Sequence, residues 1–227
     1  MQDLSTTVLG VRLALPMMNA PGVCGSPREL AALLDSDAGA IVLPTATVHP
    51  FVHPEFRSLH NPGYDKLAPL TRELAERAGA RPVVASVAGG TPEEFGHLAR
   101  AFAEAGAALV EANLADPWVA TTLGPFEGPG ILRAVCDVLA AAPVPVLVRL
   151  APGTTRHYAA IAEVLRASGV RGVVVRNDFV DFEKFLLEAE GNFEVVTVGG
   201  IESGVDVHRT LAKIGRASCR ERVSRCV

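Results

Sequence analysis

The sequence predicts an α/β barrel of the TIM, or (β/α)8, type, with a β-hairpin in front and truncated after about seven β/α units. Three observations carry that expectation. Short apolar runs alternate with stretches of helical periodicity along the whole chain. The runs are continuous rather than alternating, as in parallel strands covered on both faces. No Gly-x-Gly-x-x-Gly follows the first run and no Walker-type motif occurs anywhere, so an open nucleotide-binding sheet is poorly supported.

Taken in order, TTVLGVRLAL (Thr6 to Leu15) alternates around Gly10 and reads as a hairpin covering one end of the domain. Seven strand candidates follow: Met17 to Ala20, Ala40 to Leu43, Pro82 to Val87, Ala108 to Asn113, Val144 to Leu150, Gly172 to Val175 and Glu194 to Val198. Ser26, Pro27 and Glu29 form a capping box that opens a helix to about Asp35, and Thr91, Pro92 and Glu94 repeat the signature. Further helices are expected from about Tyr64 to Ala78, Pro129 to Ala141, Thr155 to Ala167 and Phe182 to Ala189, with a last one opening at Ser203. Thr45 to Asn61, rich in Pro and His, has no clear pattern; long loops at strand ends in barrels tend to be functional.

Composition sets the limits. A 227-residue chain with 49% apolar and 20% charged residues suits one globular domain. No apolar run is long enough to span a bilayer, the N-terminus lacks a secretion signal, and a net charge of −4 argues against a nucleic-acid surface. Four cysteines without CxxC spacing fit a reduced, cytoplasmic compartment. Residues 1–212 are expected to form the single, incomplete barrel. The remainder, 213–227, breaks the apolar rhythm, and its run IGRASCRERV resembles a translated sequencing adapter; it is expected to be a non-native tail.

The chemistry gathers at strand ends. AALVEANLADPW brings Glu111, Asn113 and Asp116 to the carboxyl end of the fourth strand, where α/β folds build their sites. Asn113 and Asp116 can equally cap a turn before the next helix. Arg149 ends the fifth strand as a cation that can pair a carboxylate or face an electron-rich cofactor. Arg176, Asn177 and Asp178 end the sixth. Gly199 and Gly200 end the seventh before a helix start, a corner that suits either a phosphate or an ordinary turn. Pro50 and Pro54 break the helix on which His49 and His53 would converge, and His60 adds no pattern, so no metal is expected. No GxSxG elbow is present, and a Ser or Cys nucleophile is unsupported.

In order and spacing, PMMNAPGVCG, ELAALLDSDAGAIV, LHNPGYD, SVAGGTPEEF, EANLADPW, VLVRLAP and VTVGGIESGVD resemble the dihydroorotate dehydrogenases, particularly the class 1 enzymes, over Thr6 to about Ala212. The resemblance implies an FMN-binding barrel that oxidises dihydroorotate to orotate in pyrimidine biosynthesis, or a related small cyclic substrate. It implies Ala20 and Gly22 along the flavin, Thr45 and Ala46 near its ring or ribityl chain, and Gly199 and Gly200 at its phosphate. Asn113 would touch flavin and substrate, Arg149 would stand where the family has a lysine, and Asn177 would contact substrate. A homodimer is suggested by the resemblance alone. Asp116 replaces the family's Cys or Ser base and Trp118 replaces a substrate-binding Asn, with Trp118 expected to cover the substrate. Pro44 stands in place of a family lysine, and Glu55 to Ser58 in place of an NSMG-like run. These departures favour a different substrate or weak activity; the alternative is a catalytically impaired barrel that binds flavin or phosphate as a binding or regulatory protein.

Overall fold

Two short strands, β1 (Thr6–Val8) and β2 (Val11–Leu13), pair antiparallel with Val8 opposite Val11. Leu9 and Gly10 are left as a two-residue turn, with φ of 51° and 82°. Such a turn needs positive φ at both positions, which strains Leu9. The Leu9 amide donates to Glu194 Oε2 at 2.7 Å, so the turn is strapped to the main fold where it is least comfortable. In this computed structural model the described residues are 4–23, 26–52, 61–124, 129–151, 157–176, 191–214 and 217–220.

The main sheet has eight parallel strands: β3 (Met17–Asn19), β4 (Ile41–Val42), β5 (Val83–Val87), β6 (Leu109–Asn113), β7 (Val146–Arg149), β8 (Gly172–Arg176), β9 (Glu194–Val198) and β10 (Ala217–Arg220). Neighbours run β3-β10-β9-β8-β7-β6-β5-β4. All seven expected strands are present. Beyond them a short further strand, Ala217–Arg220, in the segment read from sequence as a tail, pairs with both β9 and β3. Backbone pairing does not require a core-forming sequence, which is why an apolar-run search passed over ASCR.

The ring joins between β3 and β4. Met18 bridges Ala40, and the Gly39 amide donates to the Met17 carbonyl at 2.8 Å. A Cβ on Gly39 would sit 1.9 Å from the Leu15 carbonyl oxygen, so only glycine allows this approach. Asn19 then does what a ladder does elsewhere: its Oδ1 accepts from the Val42 amide at 2.8 Å, and its Nδ2 donates to the Val42 carbonyl at 2.6 Å.

The strands alternate with α1 (Pro27–Leu34), α2 (Tyr64–Arg77), α3 (Pro92–Glu104), α4 (Pro117–Thr122), α5 (Pro129–Leu139), α6 (Tyr158–Ala167) and α7 (Gly204–Ile214). The Ser26 capping box on α1 is complete in both directions. On α3 the Thr91 hydroxyl accepts from the Glu94 amide, but the Glu94 carboxylate accepts from Gly90 rather than from the cap. The helix expected from Phe182 to Ala189 lies outside the described residues. No helix among the described residues is long and apolar enough to cross a membrane.

Strand alternation divides the core in two. Residues such as Val84, Leu109, Leu147, Val174 and Val196 point inward and meet Val8 and Leu13 of the hairpin. Their neighbours Ala85, Val110, Val148 and Val173 point outward against Phe95, Leu98 and Phe102 of α3 and Leu132 and Val135 of α5. Each fully buried Leu or Phe contributes about 1.5–3 kcal/mol, so the two layers together hold the strands in register.

Candidate active site

Residues two apart on a strand share a face, so the interior changes character toward the carboxyl ends. Above Val84 stands Ser86; above Leu109, Glu111 and then Asn113; above Leu147, Arg149. Ser86 is in register with Glu111, and Asn113 with Arg149, so the four polar groups come from three adjacent strands.

These groups are joined to each other and to Thr45, two residues beyond Leu43. Asn113 Nδ2 donates to Thr45 Oγ1 at 3.0 Å, the Thr45 and Ser86 hydroxyls lie 3.0 Å apart, and Ser86 Oγ donates to Glu111 Oε1 at 3.5 Å. Arg149 Nη1 stands 3.8 Å from Glu111 Oε1, with the two side chains 11% and 2% exposed. Burial pushes the Glu111 carboxyl above its ordinary value, and the Arg149 charge and the Ser86 hydroxyl counteract that. Arg149 Nε is buried and has no partner among the described residues. Buried polar atoms are almost always hydrogen-bonded, and one left open at a strand end is a donor awaiting an acceptor.

Asp116 begins α4 as its N-cap, its Oδ1 accepting from the Trp118 amide at 2.9 Å. Sequence alone leaves the capping and catalytic uses of this carboxylate open, and the capping use is present in the structure. Trp118 is half-buried, its ring centroid 5.1 Å from that of Phe51 at 54°, and its Nε1 is buried with no partner among the described residues. A Cβ at Gly90 would reach to 3.4 Å from that nitrogen, so the β5–α3 turn passes directly beside the indole. Phe51 comes from the loop after β4, which is pinched by an antiparallel bridge between Phe51 and Asn61 and by a hydrogen bond from Thr47 Oγ1 to Asn61 Oδ1 at 2.7 Å.

The other expected residues fall as follows. Ala20 is fully buried in the interior layer at the end of β3. Gly22 is exposed with φ of 84° and nothing near its missing Cβ, so it is glycine for the turn that carries the Val23 amide back to the Ala20 carbonyl. Thr45 belongs to the polar network. Ala46 is fully buried in the outer layer, and its backbone N–H and C=O bond to Ser86 and Ala88, so its methyl packs toward the helices. Gly199 and Gly200 both have positive φ, 87° and 68°, one buried and one exposed. The start of α7 already holds an anion: Asp206 Oδ2 accepts from the amides of Glu202 (3.2 Å) and Ser203 (2.9 Å) and from Ser203 Oγ (2.7 Å). The Ser203 hydroxyl and these amides hold the Asp206 carboxyl below its ordinary value. A phosphate at this corner would therefore meet the glycine amides rather than those of Glu202 and Ser203. Asn177, His53 and His60 lie outside the described residues.

Sequence reasoning passed over Asn19 and Ser86 and left Glu111 without a role. For Ser86 and Glu111 the available signal was parity, each being a polar residue at an inward position of an otherwise apolar strand; Asn19, between the inward Met18 and Ala20, carried no such signal.

The arrangement is that of a barrel mouth with a fixed cation, small residues, a cap carboxylate and a glycine corner. Comparison with known proteins bears on the family and the fold. Residues 57–217 match the sequence profile of the family described as dihydroorotate dehydrogenase. An Aeropyrum pernix protein provisionally named dihydroorotate dehydrogenase A (fumarate) is 31% identical over 77% of this chain and 61% of its own length. The dihydroorotate dehydrogenase B (NAD(+)) catalytic subunit of Geobacillus kaustophilus is 30% identical over 79% of this chain and 62% of its own. This chain thus spans about three-fifths of the length of these relatives. Among solved structures, DHODH from Eimeria tenella in complex with ferulenol shares the fold with a TM-score of 0.75 at 17% identity, over 97% of this chain and 78% of that one.

Proposed function

Because the chain belongs to the dihydroorotate dehydrogenase family, we propose that it forms the FMN-binding barrel of an oxidoreductase acting on dihydroorotate or a related small cyclic substrate. The observation that carries the reading is the buried cation at the mouth: Arg149, in register with Asn113, keeps an open Nε donor where the polar layer meets the strand ends. FMN, when bound, supplies the two-electron acceptor for the reaction. The fit of such a group rests on the Gly199 and Gly200 backbone amides, on the Arg149 donor, unclaimed among the described residues, and on the small side chain of Ala20 just after β3.

Each side chain then has a task. Arg149 holds a permanent positive charge in a poorly hydrated site, where it stabilises negative charge developing nearby. Asn113 keeps its amide oriented through Thr45 and the Ala115 N–H and supplies polar contact. Asp116 accepts the proton released from substrate carbon; a carboxylate is intrinsically a weak base, which favours slow turnover. Trp118, with Phe51, covers the substrate and excludes water, and Asn177 is assigned a substrate contact. We also propose a cytoplasmic location and, on the resemblance to the family alone, a homodimer.

A second reading has one observation in its favour: the Asp116 carboxylate already caps α4. On that reading the barrel binds flavin or phosphate without turnover. The test is anaerobic mixing of the FMN-loaded protein with dihydroorotate. Bleaching of the flavin band is expected, slowed about 10²–10⁴-fold in Asp116→Asn with flavin retained. Saturable FMN binding with no bleaching by any dihydropyrimidine selects the second reading, and a colourless protein that takes up no FMN removes both.

A further inference from the structure

We propose that Glu111 is the positioning residue of this mouth: it orients the Arg149 guanidinium on one side and, through Ser86 and Thr45 on the other, is the terminal acceptor that holds the hydrogen-bond series beginning at the Asn113 amide. The inference rests on the reading above for what those two groups are used for, but its geometry stands without it.

The direction of the hydrogen bonds can be worked out from donor and acceptor capacity. Asn113 Oδ1 accepts from the Ala115 amide at 3.2 Å, which makes the other end of the amide the nitrogen. That nitrogen can only donate, so Thr45 Oγ1 accepts from it. The Thr45 hydroxyl proton is then directed at Ser86 Oγ, and the Ser86 proton at Glu111 Oε1. Every link points the same way, and the series ends on an oxygen that also faces Arg149. Reversal would set the Asn113 nitrogen against the Ala115 N–H, donor against donor.

On the other side, Glu111 draws Arg149 by Nη1. A guanidinium is a rigid plane, so the ion pair at Nη1 restricts where Nε–H points, and Nε is the atom without a partner among the described residues. Glu111 itself is 2% exposed, below the Asn113 level of the same strand face, and so acts on the mouth through these intermediates. It touches neither substrate nor cofactor on this account.

The experiment uses the ¹⁵N-labelled full chain. The Arg149 Nε–H resonance is assigned by its loss in Arg149→Lys, and the Asn113 side-chain NH2 pair by its loss in Asn113→Asp. In the parent protein both are expected to be resolved and protected. In Glu111→Gln the Arg149 Nε–H is expected to exchange with solvent about tenfold faster or more and to move toward the exposed-arginine envelope. An unchanged Arg149 resonance in folded Glu111→Gln overturns the proposal. If that variant does not fold, Ser86→Ala decides: the Asn113 NH2 pair shifts while Arg149 Nε–H stays, and an unmoved Asn113 pair overturns it. Neither resonance depends on flavin, so failure to bind FMN removes the proposed function alone. In FMN-loaded protein there is a further readout in the sign of the flavin midpoint potential. Removing only a negative charge raises it, whereas releasing Arg149 from its place lowers it; a rise with Arg149 Nε–H unmoved counts against positioning.

Discussion

Val84 and Leu109, in register on β5 and β6, belong to the apolar part of the barrel interior, and Ser86 and Glu111, two residues further along the same strands, to the polar part; on β7 the same step runs from Leu147 to Arg149. The backbone is the same, the burial is nearly the same, and the chemistry is opposite. The apolar part closes onto the hairpin residues Val8 and Leu13 and stabilises by apolar contact. The polar part stabilises little by itself, because a buried ion pair returns little more than its desolvation cost. What it supplies is directed donors. The difference teaches that in this barrel the step from scaffold to site is one pleat, about 7 Å along the strand.

The largest effects should come from breaking each part in turn. Leu109→Ala removes a fully buried side chain from the apolar part and is expected to cost about 2–5 kcal/mol in urea unfolding, with FMN affinity per folded molecule unchanged. Arg149→Ala strands Glu111 without its counter-charge and is expected to cost about 3–5 kcal/mol and to abolish tight FMN binding as well. If Leu109→Ala lowered affinity as much as Arg149→Ala, the two parts would not be functionally distinct.

A smaller effect sharpens the comparison through pH, since only the polar part titrates. Burial raises the Glu111 carboxyl above the ordinary 4.5, so the folded state holds this proton more tightly than the unfolded state. Its contribution to stability is full below pH 4.5 and is lost as pH rises from there through the raised folded value. Unfolding curves across that window should fall for the parent relative to Glu111→Gln, and parallel curves would assign the slope to other groups. The smallest effect lies at the glycine corner. Asp206→Asn weakens the internal anion on the Glu202 and Ser203 amides and should raise affinity for FMN or inorganic phosphate a few-fold, measured by titration. Reduced affinity would mean the carboxylate organises the corner instead of competing for it.

Much of this was legible in the sequence. The strand positions follow from apolar runs, and the helix starts at Ser26 and Thr91 from cap chemistry, because both signals are local. Arg149 and Asn113 could be placed at the mouth because a polar residue closing a buried run must lie at a strand end. The network was not legible, since Thr45, Ser86 and Glu111 meet only after two connections of unrelated length have brought their strands together. β10 was passed over for another reason. Its pairing is carried by main-chain bonds to β9 and β3, and such bonds leave no mark in side-chain hydropathy.

Beyond the Met18–Ala40 bridge and the Gly39 amide on the Met17 carbonyl, Asn19 makes the rest of the join between the first and second main strands a property of one side chain. Everywhere else the cylinder is stitched by peptide groups, which every residue but proline carries and which substitution leaves in place. Here the stitch at Val42 is an amide that belongs to a single position, so circularity, otherwise a feature of the whole backbone, hangs locally on the identity of residue 19.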